Sequence, residues 1–111
     1  MAGQEALPRV VGAFLDHLTV ERGASAHTVA GYRRDLARYT SFLAGRGVTT
    51  LSAVTEADVA AFSASLHTGD AERPALAASS VARALSAVKS LHRFAVEDGA
   101  AADNPAARVS P

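Results

Sequence analysis

The stretch ASAHTVAGYRRDLARYTSFLAGRG, residues 24–47, decides how the chain is read. Its apolar residues Val29, Tyr32, Leu36, Tyr39 and Leu43 follow one another at steps of three, four, three and four. That rhythm draws a single stripe along an α-helix and is incompatible with the two-residue alternation of a strand. Ser25 is a favoured N-cap, so the helix is expected to begin at 26 and run to about 44. Gly45 and Gly47 then end it.

The same reading extends in both directions. Upstream, Pro8 suits a first turn, where a missing N–H costs nothing. Val11, Phe14, Leu15 and Leu18 recur at helical spacing before Gly23, giving a helix over roughly 8–22. Downstream, Thr55 is an N-cap candidate with Asp58 three residues on, the spacing of a capping box. Val59, Phe62 and Leu66 form the buried side of a helix over 56–68, which Gly69 ends and Pro74 keeps from resuming. A fourth helix, 78–98, buries Val81, Leu85, Val88, either Leu91 or His92, and Ala95, and closes at Gly99. The tail from Asn104-Pro105 to Pro111 reads as the start of a linker outside the core. The expectation is an all-α, compact four-helix bundle over residues 1–103 with a linker stub over 104–111.

The totals agree with one such core. At 111 residues, 49% hydrophobic and 20% charged, the chain has globular composition. It lacks cysteine, which excludes disulfides and thiolate metal sites. The first residues show no basic segment followed by an unbroken apolar run, and no apolar stretch approaches the roughly 20 residues of a membrane span. The sequence therefore reads as a soluble cytoplasmic protein with no membrane partner.

The net charge is zero, but its distribution is uneven. Residues 25–46 carry Arg33, Arg34, Arg38 and Arg46 against Asp35, a net of +3; residues 79–94 carry Arg83, Lys89 and Arg93 with no acid, again +3. The other segments must then sum to −6, and such segregation bears on partners. An advance of about 100° per residue sets His27, Arg34 and Arg38 opposite the apolar stripe of the second helix. Arg33 flanks that face, and Asp35 falls on the other flank. On the fourth helix the outer face is Ser79, Arg83, Ser86, Ser90 and Arg93. Short hydroxyls between long cations let a polymer approach the helix closely, and arginine supplies forked contacts to phosphate or a guanine edge. Ser25, Thr28, Ser79 and Ser80 sit at helix starts, where free N–H groups suit a phosphate. A charged face opposite an apolar stripe is also what any surface helix shows, so the faces alone leave both readings open.

No catalytic constellation emerges. His17, His27, His67 and His92 are not at ligand spacing, and the chain has no HExxH, P-loop, GxGxxG or GxSxG motif. No catalytic residue, metal site or cofactor is expected of this chain.

Two blocks carry a family likeness. The first pairs an F-L-x-x-L helix, Phe14, Leu15 and Leu18, with a Ser-x-x-Thr-x-x-x-Tyr-x-x-Asp-Leu stretch, Ser25, Thr28, Tyr32, Asp35 and Leu36. The second comprises Ser80, Ala82, Arg83, Leu85, Ser86, Ala87, Arg93, Phe94 and Asn104-Pro105. Together they resemble the N-terminal core-binding, SAM-like domain of XerC/XerD-type tyrosine recombinases over residues 10–109. The resemblance implies half of a clamp on duplex DNA, with the second and fourth helices over the major groove. It also implies contact of the first helix with neighbouring recombinase subunits in a synaptic tetramer. The expected DNA-binding residues are Ser25, His27, Thr28, Arg34, Arg38, Ser79, Ser80, Arg83, Ser86, Lys89, Ser90 and Arg93. The family's catalytic domain would follow the linker, and neither Tyr32 nor Tyr39 is its nucleophile. Departures are Ala77, where a serine often caps the last helix, leaving Ser79 or Ser80 to replace it; His27 for a common asparagine; and Gly31 in mid-helix. The alternative is a helical protein-interaction domain of SAM-like shape that uses an apolar or acidic surface, such as the Glu56–Asp58 helix, instead of the basic faces.

Overall fold

The structure, a computed structural model, describes residues 4–111; residues 1–3 of the expected domain span lie outside the described residues. Four helices follow in order: α1 (Leu7–Val20), α2 (Ala26–Gly45), α3 (Glu56–Thr68) and α4 (Ala78–Glu97), with a single 3₁₀ turn at Leu51–Ala53 between α2 and α3. The all-α bundle read from the sequence is the fold observed. The 3₁₀ turn was not anticipated, and α1 closes two residues before the expected end.

Local chemistry explains most boundaries. The Ser25 hydroxyl accepts the Thr28 N–H at 3.1 Å, which starts α2. Thr55 and Asp58 form a complete capping box at α3: Thr55 Oγ1 accepts the Asp58 N–H at 3.2 Å, and Asp58 Oδ2 accepts the Thr55 N–H at 3.0 Å. At the end of α2, the Gly47 N–H donates to the Ala44 carbonyl and the Val48 N–H to the Leu43 carbonyl, a Schellman closure with Gly47 at φ +79°. The start of α4 differs. Ala77 has the extended backbone of an N-cap but no side-chain cap, and the Ser79 and Ser80 hydroxyls supply none. The expected replacement of the missing serine does not occur.

α4 packs against all three other helices. Its Val81, Val88, Leu91, His92 and Ala95 meet Leu36, Tyr39 and Leu43 of α2 and Val59, Phe62 and Leu66 of α3 in one core. Both Leu91 and His92 are buried, which settles the alternative left open by the pattern. α1 contributes Leu7, Val10, Phe14, Leu15 and Leu18. Val11, expected in the core, is half-buried at its edge because Val10 takes the inward position. The segment before α1 is pinned to the α2–α3 connection, where the Leu7 N–H donates to Thr49 and the Leu51 N–H to Glu5, both at 3.0 Å.

The tail requires a correction. Residues 104–111 do not leave the core: Ala106 and Val109 are buried in it, and the Asn104 side chain accepts the Ala106 N–H at 2.9 Å to turn the chain back. The radius of gyration, 13.2 Å, matches the roughly 13 Å of a folded domain of this length, with the tail included.

Candidate nucleic-acid interface

The outer faces of α2 and α4 meet at a groove of about 330 Å³. Its walls are His27, Thr28, Gly31, Arg34 and Asp35 from α2 and Arg83 and Ser86 from α4, with Tyr32 and Ala87 toward the bundle. Five of the expected DNA-binding residues, His27, Thr28, Arg34, Arg83 and Ser86, therefore share one concave surface although they come from helices about 50 residues apart in sequence. Tyr32 reaches this point by standing edge-on to Phe14 of α1, with ring centroids 5.6 Å apart. Gly31 keeps the floor open: a Cβ there would come no closer than 3.9 Å to the nearest atom, Arg34 Nη2.

One ion pair joins the two walls. Arg83 donates from Nε to Asp35 Oδ2 and from Nη2 to Asp35 Oδ1, each at 3.0 Å. This is the side-on fork that arginine makes with a carboxylate. Asp35 is buried and Arg83 is half exposed, with 8% and 51% of their side-chain surfaces accessible. Hydrogen bonding to Asp35, and then its charge, raises the Arg83 guanidinium above its ordinary value. The sequence had set Asp35 on a flank and left Arg83 on a face without acids. In the structure that flank faces α4, and the pair cancels one unit of positive charge inside the groove.

The other expected residues lie elsewhere. Ser25 is committed to its cap and also donates to the Thr28 hydroxyl at 3.0 Å. Arg38 lines a separate cleft with Phe42, Arg46, Asp70 and Arg73. Ser79 and Arg93 are exposed on α4, and Ser80, Lys89 and Ser90 are half-buried. Among the described residues Arg34, Arg38, Lys89 and Arg93 form no salt bridge. Arg46, beyond α2, donates from Nε to Asp58 Oδ1 at 3.1 Å and lies 5.7 Å from the Phe42 ring centroid. Burial pushes the Asp58 carboxyl up, but the Thr55 N–H, the Thr55 hydroxyl and Arg46 together outweigh it and hold the group below its usual range. Asp58 is thus a buried, fully engaged cap, which removes it from the acidic docking surface considered above.

The groove residues absent from the expected set were Gly31, Tyr32, Asp35 and Ala87. Asp35 carried one signal, as the lone acid in a cation-rich helix.

The family description "Phage integrase, N-terminal SAM-like domain" matches residues 11–99. The chain belongs to this family. The SAM-like domain is 50% identical over 100 residues to tyrosine recombinase XerD of Mycobacterium tuberculosis H37Rv, covering 88% of this chain and 32% of that protein. It is 47% identical over 96 residues to XerD of Mycobacterium leprae, covering 85% and 30%. It is 39% identical over 100 residues to tyrosine recombinase XerC of Azotobacter vinelandii, covering 89% and 31%. The chain thus spans about a third of the length of the curated relatives it matches. No solved structure matches it. Among the described residues no helix is long and apolar enough to cross a membrane.

Proposed function

We propose that this SAM-like domain is the DNA-binding N-terminal half-clamp of a Xer-type tyrosine recombinase that acts on chromosomal DNA in the cytoplasm. The observation that carries the reading is the groove itself. Thr28 and Arg34 of α2 and Arg83 and Ser86 of α4 converge on one open surface, and an ion pair fixes the two helices relative to each other. Hydroxyls and guanidinium groups at that spacing suit phosphate oxygens and base edges of a duplex. The strand-cutting chemistry belongs to the part of the relatives that this chain does not span. On this reading the chain would lead toward that part from the 104–111 segment, in which Val109 is buried against the bundle. Contact with other recombinase subunits falls to α1, whose C-terminal Val20 is a large apolar residue 79% exposed to solvent.

The test is a salt titration of duplex binding by fluorescence anisotropy. Each neutralised phosphate contributes about −0.9 to the slope of log K against log salt. Arg34→Ala, a change at an exposed position, is expected to weaken binding and flatten that slope by about 0.9. Absence of binding at low salt, where the phosphate attraction is strongest, would refute the reading.

A further inference from the structure

Asp35 poses a problem for a surface that receives DNA. A carboxylate beside a phosphate backbone repels it, and a buried one is costly to keep ionised unless its partner is well placed. Its partner here is placed by two hydrogen bonds of 3.0 Å. They occupy the Nε–Nη2 side of the Arg83 guanidinium. The other donor edge, Nη1 with the second N–H of Nη2, has no protein acceptor among the described residues. Arg83 lines the groove, and its side chain is half exposed. The guanidinium is rigid and planar, so fixing one edge fixes the direction of the other. An unpaired arginine behaves differently: it searches many rotamers and follows the nearest phosphate.

From this geometry, and resting on the DNA-binding reading above, we infer that Asp35 is a positioning residue that makes Arg83 a reader of base sequence. The free edge is the one that pairs bidentately with guanine O6 and N7 in a major groove. The Asp35–Arg83 unit has no net charge, so it adds discrimination without adding to the phosphate attraction. Arg34, which has no acidic partner among the described residues, supplies attraction without a fixed direction. The groove thereby separates its two tasks between two arginines. Ser86, one helical turn beyond Arg83, and Thr28, across the groove, remain for phosphate oxygens.

The experiment selects bound duplexes from a library with a randomised centre, using the 111-residue chain at low salt, and sequences them. The same proteins are then titrated with salt on the enriched duplex and on a scrambled duplex. Wild type is expected to enrich a guanine at one position, with a preference of roughly 5- to 150-fold, the range for one bidentate base contact. Asp35→Asn keeps the shape but breaks the fork. It should abolish the enrichment at that position, leave binding to the scrambled duplex intact or tighter, and steepen the salt slope by up to about 0.9. The double variant Asp35→Asn with Arg83→Gln should also lose the preference, but return to the wild-type slope. Far-UV circular dichroism and thermal melting confirm that each variant is folded. A purely structural Asp35 would weaken both duplexes equally, and that result would overturn the inference. Retention of the guanine preference in Asp35→Asn would overturn it too, while leaving the DNA-binding reading intact. Failure of wild type to bind any duplex would remove both.

Discussion

Acidification should destabilise this domain through one buried side chain. His92 of α4 is 1% exposed and meets the Tyr39 hydroxyl of α2 at 2.7 Å. The two groups share this one hydrogen bond, its direction set by the imidazole tautomer, and the other ring nitrogen is Nδ1. That atom is buried without a partner among the described residues. A second proton would place a cation in the core with one hydroxyl to face it. Burial accordingly pushes His92 down from 6.5 to about 4. Between those two values the unfolded chain binds a proton that the folded one does not, so stability rises with pH there. The contribution is fully present above about 6.5 and is lost as the pH falls toward 4. At about 1.4 kcal/mol per pH interval, the loss by pH 4 is on the order of 3 kcal/mol. A domain of this size holds about 5–15 kcal/mol in total, so the effect is large. Asp58 and Asp70, whose carboxyls are held below their ordinary 3.8, lose their contributions only below that value, outside the window. Urea unfolding followed by far-UV circular dichroism at pH 7 and about pH 4 measures the difference. Tyr39→Phe with His92→Leu removes both polar partners together, which is near neutral at pH 7, and it should cut the acid loss by about 3 kcal/mol. If the double variant loses as much stability as wild type over this interval, His92 is not the acid-sensitive group.

Four further outcomes are expected of thermal and urea unfolding. Ala77→Ser supplies the side-chain cap that α4 lacks and should add about 1 kcal/mol, or roughly 4–8 °C in Tm; no gain would mean that the Ser79 and Ser80 N–H groups are already satisfied, Ser79 by solvent and Ser80 by the Ala77 carbonyl. Val109→Ala should cost roughly 1–3 kcal/mol because Val109 is packed in the core, whereas a residue in a free linker would cost nothing. Gly31→Ala should stabilise by up to about 1 kcal/mol, since α2 is helical there and the added carbon meets nothing within 3.9 Å. Gly69→Ala should instead destabilise by at least 1 kcal/mol or so, because Gly69 has φ +70° and the new carbon would lie 2.5 Å from the Ala75 nitrogen.

The parts of this fold legible in the sequence are those set by neighbours in the chain. Ser25 with Thr28, and Thr55 with Asp58, cap helices across three residues, and the stripe through Val29, Leu36, Tyr39 and Leu43 is a property of one helix. What escaped the reading is set by packing between helices. Ala106 and Val109 are small, isolated apolar residues after an Asn-Pro turn, and no periodicity marks two buried side chains three apart in a short tail. Asp35 sits on a flank of its own helix, and only the approach of α4 gives that flank a cation 48 residues away. Arg46 reads as a loose cation beyond α2 until the α3 cap comes within reach. The candidate DNA-binding face was therefore outlined from sequence, while the state of its charges was not.

That difference changes what the arginines of residues 24–47 mean. Counted along the chain, they form a cationic cluster. Arranged in space, Arg46 is bound to an α3 carboxylate, Arg38 faces the cleft that holds Asp70, and the cluster's one acid is joined to Arg83. Arg34 alone of the segment's arginines lines the groove between α2 and α4. The formal charge of that groove, from Arg34, Arg83 and Asp35, is +1 with His27 neutral. If the groove receives DNA as proposed, a surface with so little excess charge would not draw its affinity chiefly from phosphate neutralisation, whose strength scales with the number of cations delivered. In the proposed half-clamp its contribution would come from directed hydrogen bonds. Weak binding in isolation is then compatible with strong selection, because a tethered second half-clamp would raise the effective concentration of this one at its site.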